Sequence, residues 1–246
     1  MESVTSRVLS LLGAFSAEHP HLSLSELSRR TGLPLATTHR LVGELTAWGA
    51  LERDAQGRYR IGLRLWEVAA LAPRGLGLRE IAMPFLEDLY EATHENVQLA
   101  VLDGSEVVYV ERISGRSAVS VFTRVGGRWP AHTTGVGLVL LAYAPTEEQE
   151  RYLAGPLAAF TEKTIVDPVR LRRELAEVRR QDYAVSDGQV TLDALSVAAP
   201  VRGPDDAVVA ALSIVVRAGT MPVHALAPAV RTAARGISRA LATHPR

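Results

Sequence analysis

The sequence predicts an α+β protein in two parts. A winged helix-turn-helix over residues 1–62 and a linker helix over 63–75 precede a larger mixed domain over 76–246. Two observations carry this. Residues 22–62, LSLSELSRRTGLPLATTHRLVGELTAWGALERDAQGRYRIG, hold two helix starts, a Gly-Leu-Pro break and an Arg-bearing hairpin, in that order. Beyond Pro73, amphipathic helices interleave with alternating, strand-like segments, without an internal repeat.

The first helix is read over 5–17, where Val8, Leu11, Leu12 and Phe15 recur at helical spacing before Glu-His-Pro-His breaks it. A second helix starts at Ser23, with Glu26 three residues on as a capping box, Leu24 and Leu27 inward, and Gly32 as its stop. Pro34 suits the first turn of a third helix, whose expected buried stripe is Leu41, Val42, Leu45 and Trp48, and which Gly49 ends. In ALERDAQGRYRIG, Asp54–Gly57 form a turn; Leu51, Tyr59 and Ile61 are expected on one strand face, with Arg53, Arg58 and Arg60 on the other. Three helices followed by a two-stranded hairpin is the order of a winged helix-turn-helix. A short helix over 63–72 is expected to set Leu65, Trp66 and Ala69 on one side, with Pro73 and Arg-Gly-Leu-Gly as the domain boundary.

In the second part, residues 78–94 read as a helix kinked or started near Pro84. VQLAVLDGSEVVYVERI is a hairpin turning at Asp103-Gly104, and AVSVFTR (118–124) is read as a further strand. VGGRWPAHTTGVG is read as a loop entering a helix near Thr134–Tyr143. Two amphipathic helices follow, in TEEQERYLA and PVRLRRELAEVRRQ. Strands are expected in YAVSD, ALSVAAPV and AVVAALSIVV, the last two central, before a closing helix. Some 170 residues with about six strands can bury a core of their own.

Composition narrows the function. Basic and acidic residues number 27 each, so contact with nucleic acid must be local rather than spread along the chain. Lys163 is the only lysine; the other cations are arginines, which alone make bidentate contacts to phosphate and guanine. There is no cysteine, which excludes disulfides, thiolate metal sites and Cys nucleophiles. No apolar run reaches the roughly 18 residues that span a bilayer, and the N-terminus lacks a signal-peptide pattern, so a cytoplasmic protein without membrane attachment is expected.

If Leu41, Val42 and Leu45 face inward, the third helix presents Leu35, Ala36, His39, Arg40 and Gly43 outward, with Thr37 beside them and Thr38 towards the core. Small residues let a helix settle in a major groove. Arg40 can reach guanine O6 and N7, His39 a base or phosphate, and Thr37 a phosphate at the helix start. Arg58 and Arg60 suit flanking backbone or minor groove, and Ser23, at the start of the second helix, is counted with this set. The expected partner is double-stranded DNA.

A small-ligand site is expected where HTTGVG meets a helix start, since free N–H groups there hold a carboxylate and the Thr133 and Thr134 hydroxyls lie nearby. The Gly-x-Gly is no dinucleotide fingerprint: no strand directly precedes it and the third glycine is missing. There is no Gly-x-Ser-x-Gly elbow, P-loop or metal-spaced His pair, and His132 reads as a loop pin rather than a catalyst. No enzyme activity, metal or cofactor is expected.

LSELSRRTGLPLATTHRLVGELTAWGALERDAQGRYRIGLRLWEVA, VGGRWPAHTTGVGLVLLA, DYAVSDGQVTLDALSVAAPV and VVAALSIVV, taken in this order, resemble the IclR family of bacterial transcriptional regulators over essentially the whole chain. The resemblance implies a GAF-like effector-binding second domain and a linker helix that helps to dimerise the heads. It also implies dimers or tetramers on pseudo-palindromic operators; most members repress and some activate. It places an organic-acid effector pocket at Ala118, Val121, Thr134, Gly135, Val136, Asp187, Ser196, Ser213 and Val215. Leu138 stands where the family commonly has Lys, Gly188, Gln189 and Asp193 replace a segment often bearing paired acids, and Val215 stands where a hydroxyl can occur. These departures point to a more apolar pocket, suited to an aromatic or longer acid.

Overall fold

The computed structural model describes residues 3–72, 76–115, 118–121 and 123–243. Pro73–Gly75 of the expected boundary and Phe122 of the expected 118–124 strand therefore lie outside the described residues. The chain forms two compact units that meet between Leu76 and Gly77. No helix among the described residues is long and apolar enough to cross a membrane.

The first unit runs α1 (Val4–Gly13), α2 (Leu24–Thr31), α3 (Leu35–Trp48), β1 (Leu51–Arg53), β2 (Tyr59–Ile61) and α4 (Leu63–Ala69). Its core gathers Leu11, Leu22, Leu27, Leu41, Val42, Leu45 and Leu51. The capping box at Ser23 forms as expected: the Glu26 N–H donates to Ser23 Oγ at 3.3 Å, and the Ser23 N–H to the Glu26 carboxylate at 2.7 Å. Gly32 and Gly49 end α2 and α3 in the left-handed region, φ 69° and 89°. Pro34 sits one position ahead of the expected first turn, as the cap of α3. Leu22 and Tyr59 exchange backbone hydrogen bonds of 2.9 and 2.7 Å, which ties the entry of α2 to the wing.

Four expectations fail here, each for a local reason. Trp48 is 52% exposed; it is the last residue of α3 and its ring stacks under Arg64, 5.6 Å from the guanidinium carbon. Arg53 lies on the Leu51–Tyr59 face, since period two keeps residues 51 and 53 together, and it covers the Tyr59 ring. Ile61, directly opposite Leu51, is half exposed because the core ends there. The helix expected over 63–72 ends at Ala69, buries no residue, and leaves Trp66 61% exposed.

The second unit contains α5 (Leu76–Thr93), β3 (Asn96–Asp103), β4 (Glu106–Ile113), β5 (Arg128–Pro130), α6 (Gly135–Tyr143), α7 (Thr146–Leu153), α8 (Pro168–Gln181), β6 (Ala184–Asp187), β7 (Ala194–Arg202), β8 (Val208–Arg217) and α9 (Val223–Thr243). The six strands form one antiparallel sheet in the order β5-β4-β3-β8-β7-β6. Helices cover both faces, which explains why β3 and β8 read as apolar runs. Val97, Leu99, Leu212 and Ile214 pack on α5 and α9; Ala100, Ala198 and Ala211 pack on α6 and α8.

Leu76 and Gly77, expected in the boundary break, begin α5, which continues through Pro84. The hairpin turns at Gly104-Ser105, with Asp103 paired to Glu106, one residue later than expected. Residues 118–121 and 123 are not strand: their carbonyls and hydroxyls bond side chains from β3 and β4 instead of a neighbouring backbone. The edge strand β5 and a 3₁₀ turn at Ala131–Thr133 occupy part of the expected Gly/Pro loop.

The wing and α4 meet α3 where Gly62 approaches Gly49; a Cβ on Gly62 would lie 2.1 Å from the Gly49 carbonyl oxygen. Gly62→Ala is therefore expected to lower the stability of the first unit by about 1–3 kcal/mol, with the second unit's transition unmoved. Differential scanning calorimetry checks this, and an unchanged first transition contradicts it.

Candidate functional site

Helix α3 turns Leu41, Val42 and Leu45 inward and leaves Leu35, Ala36, His39, Arg40 and Gly43 exposed, with Thr37 half-buried at its first turn. Thr38 is fully buried. Its hydroxyl donates to the Pro34 carbonyl at 3.1 Å, which lets a polar residue occupy an apolar position. The three arginines expected at this surface each have an acidic neighbour. Arg40 pairs with Glu44 at 2.5 Å, Arg58 with Asp54 at 3.1 Å, and Arg60 with Glu52 at 2.8 Å. All three arginines are about half exposed. The Arg40–Glu44 pair, exposed on both sides, is weak and exchangeable, whereas Asp54 is mostly buried and also accepts the Gln56 and Arg58 N–H groups. Ser23 is spent inside its capping box, where its hydroxyl also donates to Glu26 at 2.7 Å.

In the second unit a cavity with about 460 Å³ of space, part of it open to solvent, lies between the sheet and the start of α6. Its floor is built on sheet positions of one face: Gln98 on β3, Tyr109 on β4, Ser196 on β7 and Val215 on β8. Thr134 caps α6 by accepting the Gly137 N–H at 3.1 Å. The N–H groups of Gly135 and Val136 have no carbonyl one turn back in the helix. Gly135 lies directly on the sheet, since a Cβ there would sit 2.7 Å from Ser196 Oγ. Burial pushes the Tyr109 phenol far above its usual range, a hydrogen bond with Thr134 offsetting only part of this, so it is neutral.

The rim is tied by a loop that precedes α8. The carbonyl of Ala158 accepts from His132 Nε2 at 3.0 Å. Thr161 and Thr164 donate to the Gly188 and Gln189 carbonyls, each at 2.6 Å. Phe160 meets Trp129 edge-on, centroids 5.1 Å apart. Because a carbonyl only accepts, Nε2 of His132 carries the proton, and Nδ1 accepts from the Tyr152 hydroxyl at 2.7 Å. His132 is a loop pin, as its sequence context indicates.

Of the sequence-derived ligand set, Val121, Thr134, Gly135, Ser196 and Val215 line the cavity. Ala118 lies outside it, Val136 turns into the α6 core, and exposed Asp187 pairs with Lys163 at 3.2 Å. Ser213 is buried beside Gln98 and Ala198 on the same sheet face. Its hydroxyl has no partner among the described residues, but it does not reach the cavity wall. Sequence reasoning missed Gln98, Tyr109, Thr123, Trp129, Ser186 and Gln189. Gln98 had a signal, a lone amide in the apolar run VQLAVL; Gln189 lies in a loop and had none.

A helix-turn-helix head followed by an α+β domain with a ligand-sized cavity defines a transcriptional regulator with an effector domain. The family model of the IclR helix-turn-helix domain matches residues 4–55, and that of the bacterial transcriptional regulator IclR C-terminal domain matches residues 71–239. The HTH-type transcriptional regulator KipR of Bacillus subtilis (strain 168) is 35% identical over 207 residues, 84% of this chain and 82% of that protein. The transcriptional repressor IclR of Escherichia coli (strain K12) is 30% identical over 218 residues, 87% and 79% of the two chains. The crystal structure of an IclR homolog from Microbacterium hydrocarbonoxydans complexed with 4-hydroxybenzoate superposes with a TM-score of 0.93 at 38% identity, covering 98% of this chain and 100% of that one. The chain belongs to the IclR family of transcriptional regulators, a family of DNA-binding proteins rather than enzymes, and its second unit is the GAF-like effector domain.

Burial lowers the His132 pKa below its ordinary 6.5, so the neutral ring contributes stability above pH 6.5 that is lost as pH falls through the folded-state value. The effector domain is expected to melt earlier as pH drops below 6.5, and His132→Gln to flatten that dependence; parallel pH profiles contradict the assignment. Tyr152→Phe, which leaves buried His132 Nδ1 without its donor, is expected to cost about 1–3 kcal/mol, read from urea unfolding.

Proposed function

We propose that this protein is a repressor whose effector domain takes a small aromatic carboxylic acid, and that the acid weakens operator binding. The observation that carries the ligand class is the cavity itself. Trp129, Tyr109, Val121, Val190 and Val215 give it apolar walls, and a helix start set against Ser196 gives it one anion-binding end. The 4-hydroxybenzoate held by the Microbacterium hydrocarbonoxydans relative supports the same class. The carboxylate sits on the Gly135 and Val136 N–H groups with the Thr134 and Ser196 hydroxyls beside it.

In the head, which comprises residues 1–62, α3 enters the major groove of a pseudo-palindromic operator. Arg40 and His39 reach base edges, and Leu35, Ala36 and Thr37 line the close approach. Arg58 and Arg60 meet flanking phosphates, with Ser23 at the rim. The protein works as a dimer or tetramer. Leu63, Trp66 and Val68 of α4, with Leu71 after it, expose an apolar surface on a helix that buries nothing, which suits a second copy of the linker helix.

Arg40→Ala is expected to weaken operator binding by about 1–3 kcal/mol and relax base preference. Arg58→Ala is expected to weaken all duplexes alike and to lower the salt slope. Gel shifts over a salt series check both, and unchanged affinity and preference in Arg40→Ala overturn the head assignment. In a thermal-shift screen, 4-hydroxybenzoate and its analogues are expected to raise the effector-domain Tm and to release operator DNA. No shift with any aromatic acid overturns the ligand class.

A further inference from the structure

Resting on the aromatic-acid reading, we propose that Arg112 is a positioning residue that makes the Gln98–Thr123 end of the cavity the seat of a second acidic group on the effector, opposite the carboxylate at α6. None of the described residues that line the cavity carries a charged side chain. Directly behind that wall stands the Arg112 guanidinium, on β4 opposite Gln98. Nη1 donates to the Thr123 carbonyl at 2.6 Å, and Nη2 to Asn96 Oδ1 and Ser114 Oγ, each at 3.1 Å. All three acceptors are neutral.

Among the described residues no carboxylate pairs with this guanidinium. The adjacent Glu111 bonds Arg79 and the backbone N–H of Arg112 instead. Among the described residues Nε of Arg112 is buried without a partner, and burial lowers the guanidinium pKa from its ordinary value without discharging it. A half-buried cation lacking a counter-ion costs stability, and its field falls on whatever lies next to it. What lies next to it is the cavity wall: Thr123, whose carbonyl it holds, and Gln98, whose amide donates to Thr123 Oγ1 at 2.6 Å.

The two ends are placed by the sheet register. Gln98, Ser213 and Ala198 are consecutive cross-strand partners on β3, β8 and β7, and Gly135 lies against Ser196 and Ala198. Two strand spacings, roughly 10 Å, therefore separate the helix start from the Arg112-backed wall. One aromatic ring with acidic or strongly accepting groups at opposite ends bridges that distance.

The test compares terephthalate with 4-carbamoylbenzoate, which keeps the shape and loses one charge, by isothermal titration of the full chain. Wild type is expected to bind terephthalate about tenfold more tightly. In Arg112→Met the ratio is expected to fall to about one, and in Arg112→Lys, which keeps the charge, to stay at several-fold. A wild-type ratio near one overturns the proposal, as does an unchanged ratio in a folded Arg112→Met. If Arg112→Met fails to fold, the wild-type ratio and the Arg112→Lys ratio decide, and a ratio of about one in either overturns it. Should 4-hydroxybenzoate and the other monocarboxylates bind while these ratios fail, only the Arg112 role falls. Should no aromatic acid bind at all, the aromatic-acid reading fails and this inference with it.

Discussion

The cavity of the second unit exists because α6 begins in contact with the sheet. Eight of the nine residues of α6 are buried, so its position is set by apolar packing along its length. Its first turn then has to fit where there is almost no room: a Cβ on Gly137 would lie 2.0 Å from the Ala131 carbonyl oxygen, and one on Gly135 would strike Ser196. Glycine at both positions lets the backbone in. The result is a row of helix-start N–H groups aimed at a largely apolar space, where a carboxylate gains more than it would in water. The rim bonds from His132, Thr161 and Thr164 then hold the surrounding loops in register with that helix start.

The head follows the opposite logic. Its fold rests on a small leucine core and three well-formed helix ends, and these leave the outward face of α3 almost free of structural duty. Arg40 on that face pairs only with exposed Glu44, while Arg58 and Arg60 on the wing pair with the mostly buried Asp54 and the partly exposed Glu52. An exposed pair such as Arg40–Glu44 exchanges at little cost, which leaves the guanidinium available to the phosphate or base contact proposed for it. A buried, fully bonded arginine could not be exchanged in this way.

Local rules made most of the fold readable in the sequence. The Ser23–Glu26 box, the Gly32 and Gly49 stops, the bounds of α8 and the hairpin pairing of β3 with β4 all follow from interactions within a few residues. Trp48, Trp66 and Ile61 did not, because their exposure depends on where a small core runs out. Residues 118–124 read as a strand by composition, yet Asn96 captures Val119, and Gln98 and Arg112 capture Thr123, from the side. The cavity was legible at Thr134 and Gly135, where a Gly-rich helix start announces itself, and at Ser196 only through the family resemblance. Gln189 and Thr191 enter only through a loop held from a distance, and Arg112 only through register.

The most direct test of this account is a crystal structure of the protein with 4-hydroxybenzoate. The account predicts the carboxylate within hydrogen-bond distance of the Gly135 or Val136 N–H, with the ring between Trp129 and Val215 and the para hydroxyl towards Gln98 and Thr123. A ligand bound elsewhere, or seated with its carboxylate away from the start of α6, would contradict it.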